Sequence, residues 1–158
     1  MHPNESLIEK FYTAFGNRVY ARMSECYAPT ATFADPIFTL QGKRIGAMWH
    51  MLCESGKDLQ ITFSDIHADD TQGAVNWQAR YTFSSTQRRV HNIIRAEFVF
   101  QDGHIVQHRD QFDFWRWSRM ALGPMGVALG WTPFVHARVV KTANANLERF
   151  IAKHPEYQ

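Results

Sequence analysis

Four consecutive strand-like segments constrain the fold of this 158-residue chain more than any other feature of its sequence. Apolar and β-branched residues recur with a period of two in residues 59–68, 74–84, 89–101 and 104–117. Asp102-Gly103, between the last two segments, predicts a tight hairpin, and Thr71-Gln72-Gly73 predicts a turn between the first two. Strands joined by such short turns pair with their neighbours as an antiparallel sheet.

Three helical segments precede these strands. Ser6 and Glu9 form a capping-box pattern in the first helix, the second covers residues 19–27, and the third lies between Gly42 and Gly56. Helices followed by a block of antiparallel strands are typical of the α+β class. We therefore expect a cone-like, curved antiparallel sheet that wraps around the N-terminal helices, with a further helix at the C-terminus.

The composition of the chain argues against several classes of protein. With 45% hydrophobic residues, the chain can bury one core but is too short for two, and a net charge of +2 with scattered basic residues argues against a nucleic-acid partner. Cys26 and Cys53 both fall on apolar helix faces, which favours reduced thiols. No leader segment and no membrane span is evident in the sequence. We expect a soluble, cytoplasmic protein.

Asp35 stands at the end of a short apolar strand, directly before Pro36. The proline prevents the strand from continuing, so the carboxylate is held at the end of an element. Ionised carboxylates are rare among apolar side chains unless they are paired, hydrogen-bonded or used in chemistry. Two interpretations remain open at this point: Asp35 turns the chain before the proline, or it belongs to a functional site.

A second carboxylate falls on the inner face of the last strand. The period of two places Val106, His108, Asp110, Phe112 and Phe114 on the more apolar face, which should point inward. Alternate residues of a strand lie about 6.5 to 7 Å apart, so we expect His108 and Asp110 to contact one bound molecule separately rather than each other. The alternative is a satisfied polar patch in a non-catalytic pocket.

The same period identifies further residues that would line the inside of the cone. A cavity of mostly aromatic side chains suits a flat, largely apolar small molecule. The predicted ligand-binding residues are Phe11, Trp77, Tyr81, Asn92, Phe98 and Phe112. His104 and His108 would share a face but lie about 13 Å apart along a strand, too far to share a metal ion, and we predict no metal site.

The order of elements resembles that of the nuclear transport factor 2-like superfamily. The local match is Ala28 through Pro36 followed by Gly42, and the likeness covers about residues 5–117. Within that superfamily the chain is most similar to the ketosteroid isomerase and SnoaL-like polyketide cyclase branches. The resemblance implies a domain over residues 1–117 and leaves 118–158 as a C-terminal helical extension packed on it.

The resemblance also implies roles for individual residues. Asp35 matches the general base of ketosteroid isomerase, Asp110 matches the acid/base aspartate of the polyketide cyclases, and His108 matches a polar pocket position. The two oxyanion-hole donors of ketosteroid isomerase are replaced by Phe11 and Ala96, and Tyr12 is expected to point elsewhere. Limonene epoxide hydrolase, which has the same fold, uses an Arg and an Asp on an inner strand face where this chain has Asn92, Ile94 and Ala96.

These implications give two expectations for function. The first is a SnoaL-like protein that binds an apolar carbonyl or polyketide-like ligand and transfers a proton on it, as an isomerase or cyclase, without a cofactor. The second is a non-catalytic ligand-binding or scaffolding module of the same fold. In either case the resemblance implies a homodimer formed through the outer face of the sheet, which would carry Ile93, Val99, Ile105 and Trp115.

The last forty residues contain a clear helix signal. Thr132-Pro133 combines an N-cap hydroxyl with a proline in the first helical turn, and apolar residues recur every four positions after it. The preceding stretch, residues 120–131, carries no charge. We expect this extension to form a lid over the open end of the cone, with a partner-binding or membrane-touching patch as the alternative.

Overall fold

A curved six-stranded sheet packs against helices in the computed structural model, which describes all residues from 1 to 158. The strands are β1 Tyr27–Ala34, β2 Thr39–Gln41, β3 Gln60–Ala68, β4 Gln72–Phe83, β5 Arg88–Gln101 and β6 His104–Gln111. The helices are α1 Pro3–Gly16, α2 Tyr20–Glu25, α3 Lys43–Ser55, α4 Phe114–Leu122, α5 Pro124–Leu129 and α6 Pro133–Ala152, followed by a short 3-10 turn, Pro155–Tyr157. The predicted α+β class is confirmed.

The strand order β2-β1-β6-β5-β4-β3 brings the two candidate carboxylates together. Strands β3 to β6 are antiparallel, and the predicted hairpin between β5 and β6 forms with φ values of +53° at Asp102 and +77° at Gly103. Strand β1 pairs in parallel with β6, with Ala34 opposite Arg109. Continuing that register by one residue places Asp35, just after β1, level with Asp110 in β6.

The concave side of the sheet is filled mainly by α1 and α3. Ile8, Phe11, Tyr12 and Phe15 of α1 are buried in one core cluster together with Trp49 of α3. Burial of each such side chain contributes about 1.5 to 3 kcal/mol to folding. The inner face of the sheet is therefore lined by aromatic rings from two helices as well as by its own strands.

Two element boundaries differ from the sequence prediction because local capping overrides periodicity. The last strand ends at Gln111 rather than 117, since the Asp113 side chain accepts a hydrogen bond from the Arg116 amide and begins α4. Phe114 thus belongs to a helix, not to the inner face of a strand. The first helix is capped by His2 and Glu5, not by Ser6 and Glu9.

The predicted outer face of the sheet is also corrected. The register between β5 and β6 shifts between Val99 and Phe100, and this irregularity turns Ile105 inward, where it is fully buried. Trp115 lies on α4 rather than on a strand. Of the four residues predicted for that face, Ile93 is 50% exposed and Val99 is half-buried.

The C-terminal helix α6 packs on the rest of the chain along its whole length. Leu147 and Ile151 enter the main core, and Thr132 caps the helix as predicted. Near its beginning, His136 Nε2 donates to the Pro36 carbonyl oxygen at 2.6 Å, and near its middle Asn144 Nδ2 donates to the Ile37 carbonyl oxygen at 3.2 Å. The helix thus holds the loop that follows Asp35. None of the helices combines the length and the apolar character that a membrane span requires.

Candidate active site

A chain of hydrogen bonds runs through the inner side of the sheet and ends at Asp110. Trp49 Nε1 donates to the Tyr27 hydroxyl at 3.1 Å, and that hydroxyl lies 2.6 Å from His108 Nδ1. His108 Nε2 lies 2.9 Å from Asp110 Oδ1, which also accepts from Trp77 Nε1 at 3.3 Å. The five residues come from α3, β1, β6 and β4.

The direct bond between His108 and Asp110 corrects the expectation that they act as separate groups. That expectation used the spacing of alternate residues along a strand. Side chains on one strand face can lean along the strand toward each other, and an imidazole is long enough to reach the second carboxylate. His108 and Asp110 therefore form one unit in which the histidine holds the aspartate.

The donors and acceptors of this unit assign its protons. An indole N–H only donates, so the Tyr27 oxygen accepts from Trp49 and its own proton is free to bond His108 Nδ1. Nε2 then carries the imidazole proton and donates to Asp110 Oδ1. Burial raises the pKa of Tyr27 well above its usual value, so this hydroxyl keeps its proton. With the protons placed in this way, each polar atom of the chain of bonds up to Asp110 Oδ1 has a partner.

Asp110 keeps one oxygen free for chemistry. Oδ1 receives both hydrogen bonds, from His108 and Trp77, whereas Oδ2 has no hydrogen-bond partner in the protein. Asp110 is 4% exposed, and Oδ2 is not among the fully buried polar atoms that lack a partner. The small solvent-accessible surface of Asp110 therefore includes Oδ2, and this is the oxygen that a ligand can contact.

Asp35 makes the turn that is one of the two interpretations left open by the sequence, and it lies beside the His108–Asp110 pair. Its Oδ1 accepts from the amides of Ile37 at 2.7 Å and Phe38 at 2.6 Å, which is the turn role. Burial raises the pKa of Asp35 from 3.8 to about 6, against the lowering effect of the two amides; the Asp110 charge raises it and His108 lowers it. Because the charges of Asp110 and His108 both affect the pKa of Asp35, Asp35 lies close to the His108–Asp110 pair.

The raised pKa makes stability depend on pH with a definite sign. Because the folded protein holds the Asp35 proton up to about pH 6 and the unfolded chain releases it near 3.8, ionised Asp35 opposes folding as pH rises through this range. Since Asp35 is half-buried, we expect Asp35→Asn to stabilise the protein by about 1 to 2 kcal/mol at pH 7.5 and by almost nothing at pH 4. Urea unfolding at both pH values measures this, and an equal effect at both would contradict it.

The predicted ligand-binding residues fall into two groups. The rings of Phe11 and Phe98 pack against the His108 ring at centroid distances of 5.8 and 4.4 Å, and Trp77 bonds Asp110. These three enclose the pair and leave His108 fully buried. Because these three side chains pack directly against the pair, they leave little space beside Asp110.

The other three residues make no hydrogen bond or ring contact with the His108–Asp110 pair. Tyr81 and Phe112 are half-buried and pack with a second apolar cluster around Trp117, whose Nε1 donates to the Tyr81 hydroxyl at 2.8 Å. Asn92 is buried, and its amide makes no hydrogen bond in the protein. Like Asp110 Oδ2, this amide lacks a partner and is not sealed from solvent.

Sequence reasoning missed three residues of the site. Tyr27 was assigned to the second helix but begins β1, and Trp49 was counted only as an apolar helix residue. Tyr12 points inward, against the Trp77 ring at 5.5 Å, and its hydroxyl is fully buried without a partner. Burial, and then the charge of Asp110, raise the pKa of Tyr12 well above its usual value. Periodicity gives the face of a side chain but not its polar partner.

Two surface concavities lie outside this site. One of about 340 Å³ lies between α1 and α2 and includes Lys10 and Arg22, and another of about 280 Å³ lies on the outer sheet face and includes Glu97 and Arg109. Neither includes Asp35, His108 or Asp110. Their linings are mostly polar, unlike the aromatic inner side of the sheet.

Comparison with known sequences identifies one matching family. The profile of the SnoaL-like domain matches residues 8–108, a stretch that contains Asp35 and His108 and ends two residues before Asp110. No curated protein sequence matches the chain.

Several solved structures share the fold. A protein with a ketosteroid isomerase-like fold from Catenulispora acidiphila DSM 44928, solved in complex with trimethylamine, has a TM-score of 0.66 and 11% identity over 80% of this chain and 97% of its own. An LEH-like epoxide hydrolase from M. tuberculosis has a TM-score of 0.62 and 17% identity over 80% of this chain and 92% of its own. TerC, co-crystallised with polyporic acid, has a TM-score of 0.60 and 15% identity over 71% and 92%. Identities this low establish the fold alone.

Proposed function

The chain belongs to the SnoaL-like domain family, and from this premise we propose that it binds a small, mostly apolar carbonyl or polyketide-like molecule and transfers a proton on it. The reaction would be of the isomerase or cyclase type. The observation that carries the proposal is the state of Asp110, whose Oδ1 is held by two donors while Oδ2 is left free. A base that is fixed through one oxygen is oriented before the ligand arrives.

The geometry supports a specific division of roles. Asp110 Oδ2 removes a proton from the carbon next to the ligand carbonyl, and the electron pair of that C–H bond moves into an enolate. The Asn92 amide, which makes no hydrogen bond in the protein and is not sealed from solvent, can donate to an oxygen of the ligand. Asp35, with a pKa of about 6, is protonated in part of the molecules near neutral pH and can return a proton to another ligand atom.

The alternative, a non-catalytic binding or scaffolding module, is favoured by a different observation. His108 is fully buried among aromatic rings, and Asp110 is nearly so. A satisfied polar network of this kind can also serve to fix a unique core. The enzyme and the binding module differ in the role of Asp110 when a ligand is present. Only the enzyme needs the charge of Asp110 for turnover.

A ligand screen tests the proposal. Aromatic and polycyclic carbonyl compounds are tested for binding by thermal shift and by ligand-observed NMR, and binders are followed for exchange of the hydrogen next to the carbonyl with deuterium from solvent. We expect binding and exchange with wild type, binding alone with Asp110→Asn, and wild-type behaviour with Asp102→Asn, which makes the same chemical change in an exposed turn. Binding without exchange in wild type would favour the module.

The oligomeric state forms a further part of the proposal. We expect a symmetric homodimer that pairs the outer sheet face around Ile93, which is 50% exposed there. Light scattering at micromolar concentration should give twice the chain mass, and Ile93→Arg should give a monomer because it places like charges at the centre of the interface. A wild-type monomer would contradict this. Cytoplasmic location, inferred from the two buried free thiols, likewise belongs to the proposal.

A further inference from the structure

Two histidines and a glutamate meet where α3 packs against the C-terminal end of the chain. His50 Nε2 lies 2.8 Å from Glu54 Oε1, and the available ligand atoms of His50, Glu54 and His154 all lie within 4.8 Å of one another. His50 is buried, His154 is half-buried, and the Glu54 side chain is 58% exposed. None of the three takes part in the Asp110 site.

Both imidazoles are held by their other nitrogen. His50 Nδ1 lies 2.9 Å from the Tyr157 hydroxyl, and His154 Nδ1 donates to the Phe150 carbonyl oxygen at 2.8 Å. The His50 ring also stacks on Tyr20 at 3.6 Å. Histidines that bind metals are commonly oriented in this way, by a hydrogen bond from the nitrogen that does not face the ion. In both residues Nε2 is the remaining nitrogen, and in His50 it faces Glu54.

From this arrangement we propose that His50, Glu54 and His154 bind a zinc ion. Two imidazole nitrogens and a carboxylate oxygen are donors that Zn²⁺ prefers, whereas Mg²⁺ and Ca²⁺ prefer oxygen alone. In a tetrahedral site with bonds of about 2.0 to 2.2 Å, the donors need only small shifts, which the exposed Glu54 side chain permits. The solvent side supplies the fourth ligand, and the ion ties the C-terminal turn to α3.

Titration calorimetry on tag-free, chelator-treated full-length protein tests this site with ZnCl2 alone. We expect saturable binding of one Zn²⁺ per chain and an increase in melting temperature. His154→Ala should abolish both, and Tyr157→Phe, which removes only the hydroxyl on His50, should weaken binding about 10-fold. His104→Ala, an exposed histidine on the β5–β6 hairpin, is the matched control. Absence of saturable binding, or binding unchanged in His154→Ala, would overturn the proposal.

A separate observation concerns the surface around α5. Six of the nine exposed large apolar side chains of the protein lie between residues 115 and 134. Trp131 and Phe134 are 68% and 71% exposed, next to the beginning of α6. This apolar patch consists of Trp115, Met125, Val127, Leu129, Trp131 and Phe134. Such a concentration on one surface marks an interaction site rather than scattered exposure.

The charged residues near the apolar patch indicate the kind of surface that the patch contacts. No acidic residue occurs between Asp113 and Glu148, and in this stretch Arg138 and Lys141 are exposed basic residues, whereas Arg116 and Arg119 are partly buried. A second copy of the chain would bring like charges together in a symmetric pairing. An anionic lipid surface instead complements the basic residues, and exposed tryptophan and phenylalanine are favoured at the boundary of headgroups and acyl chains. We infer that the apolar patch docks on anionic membrane surfaces, whatever the chemistry at Asp110.

Vesicle sedimentation tests the membrane inference. We expect wild type to bind vesicles of equal parts phosphatidylglycerol and phosphatidylcholine, to release them in 1 M salt, and to bind pure phosphatidylcholine at least 10-fold more weakly. Trp131→Ser combined with Phe134→Ser should lose binding, whereas Val19→Ser, at an exposed apolar residue outside the patch, should not. Failure of wild type to bind would overturn the inference, as would light scattering in which the double variant turns a dimer into a monomer.

Discussion

Replacing Asp110 with asparagine is expected to lower turnover by about 100-fold or more while the fold and ligand affinity are kept. The amide oxygen can take the place of Oδ1 and still accept from His108 and Trp77. The amide nitrogen would then stand where Oδ2 was, and it cannot remove a proton. The change therefore separates loss of the base from loss of the structure that holds it.

The measurement is the rate of solvent deuterium exchange into a ligand found by binding, with circular dichroism and melting temperature as checks on the fold. Asp102→Asn controls for loss of one negative charge. Equal rates in wild type and Asp110→Asn, at equal ligand occupancy, would remove Asp110 from any catalytic role. That result would be compatible with the SnoaL-like fold and with a non-catalytic ligand-binding role.

Much of the fold could be predicted because its signals are local. The Asp102-Gly103 turn, the alternation that places His108 and Asp110 inside, and the Thr132 cap each depend on a few adjacent residues. The failures arise where distant or competing contacts decide. Ile105 turns inward because the β5–β6 register shifts, and the last strand stops early because Asp113 caps a helix.

The candidate site shows the same limit. Asp110 and His108 could be chosen from one strand, but Tyr27 and His108 are 81 positions apart in sequence, and Trp49 reaches Tyr27 from α3. No periodic pattern connects residues that far apart. The parallel pairing of β1 with β6 is what joins them, and that pairing also brings Asp35 level with Asp110. The cluster of His50, Glu54 and His154 was missed for the same reason, since its third member lies at the end of the chain.

Cutting the chain after Ser118 is expected to have the largest effect on stability. It removes buried Val135, Leu147 and Ile151, which contribute about 1.5 to 3 kcal/mol each, so that about 5 kcal/mol or more is lost. Whole domains are stable by only about 5 to 15 kcal/mol. We expect the shortened protein to aggregate, or to melt about 10 to 20 °C lower if it stays soluble.

Because a truncated protein that aggregates says little about gating, a point variant gives the sharper test. Leu147→Ala should lower the free energy of unfolding by about 2 to 5 kcal/mol, whereas Phe134→Ala, at a residue 71% exposed, should lower it by almost nothing.

We propose that α6 also controls access to Asp110, since it holds the loop after Asp35 through His136 and Asn144. Asn144→Ala should then speed ligand entry and exit more than it lowers stability. A truncated protein with unchanged melting temperature and ligand affinity would instead make residues 119–158 an independent appendage, and residues 120–131 would then serve as a contact surface rather than a lid.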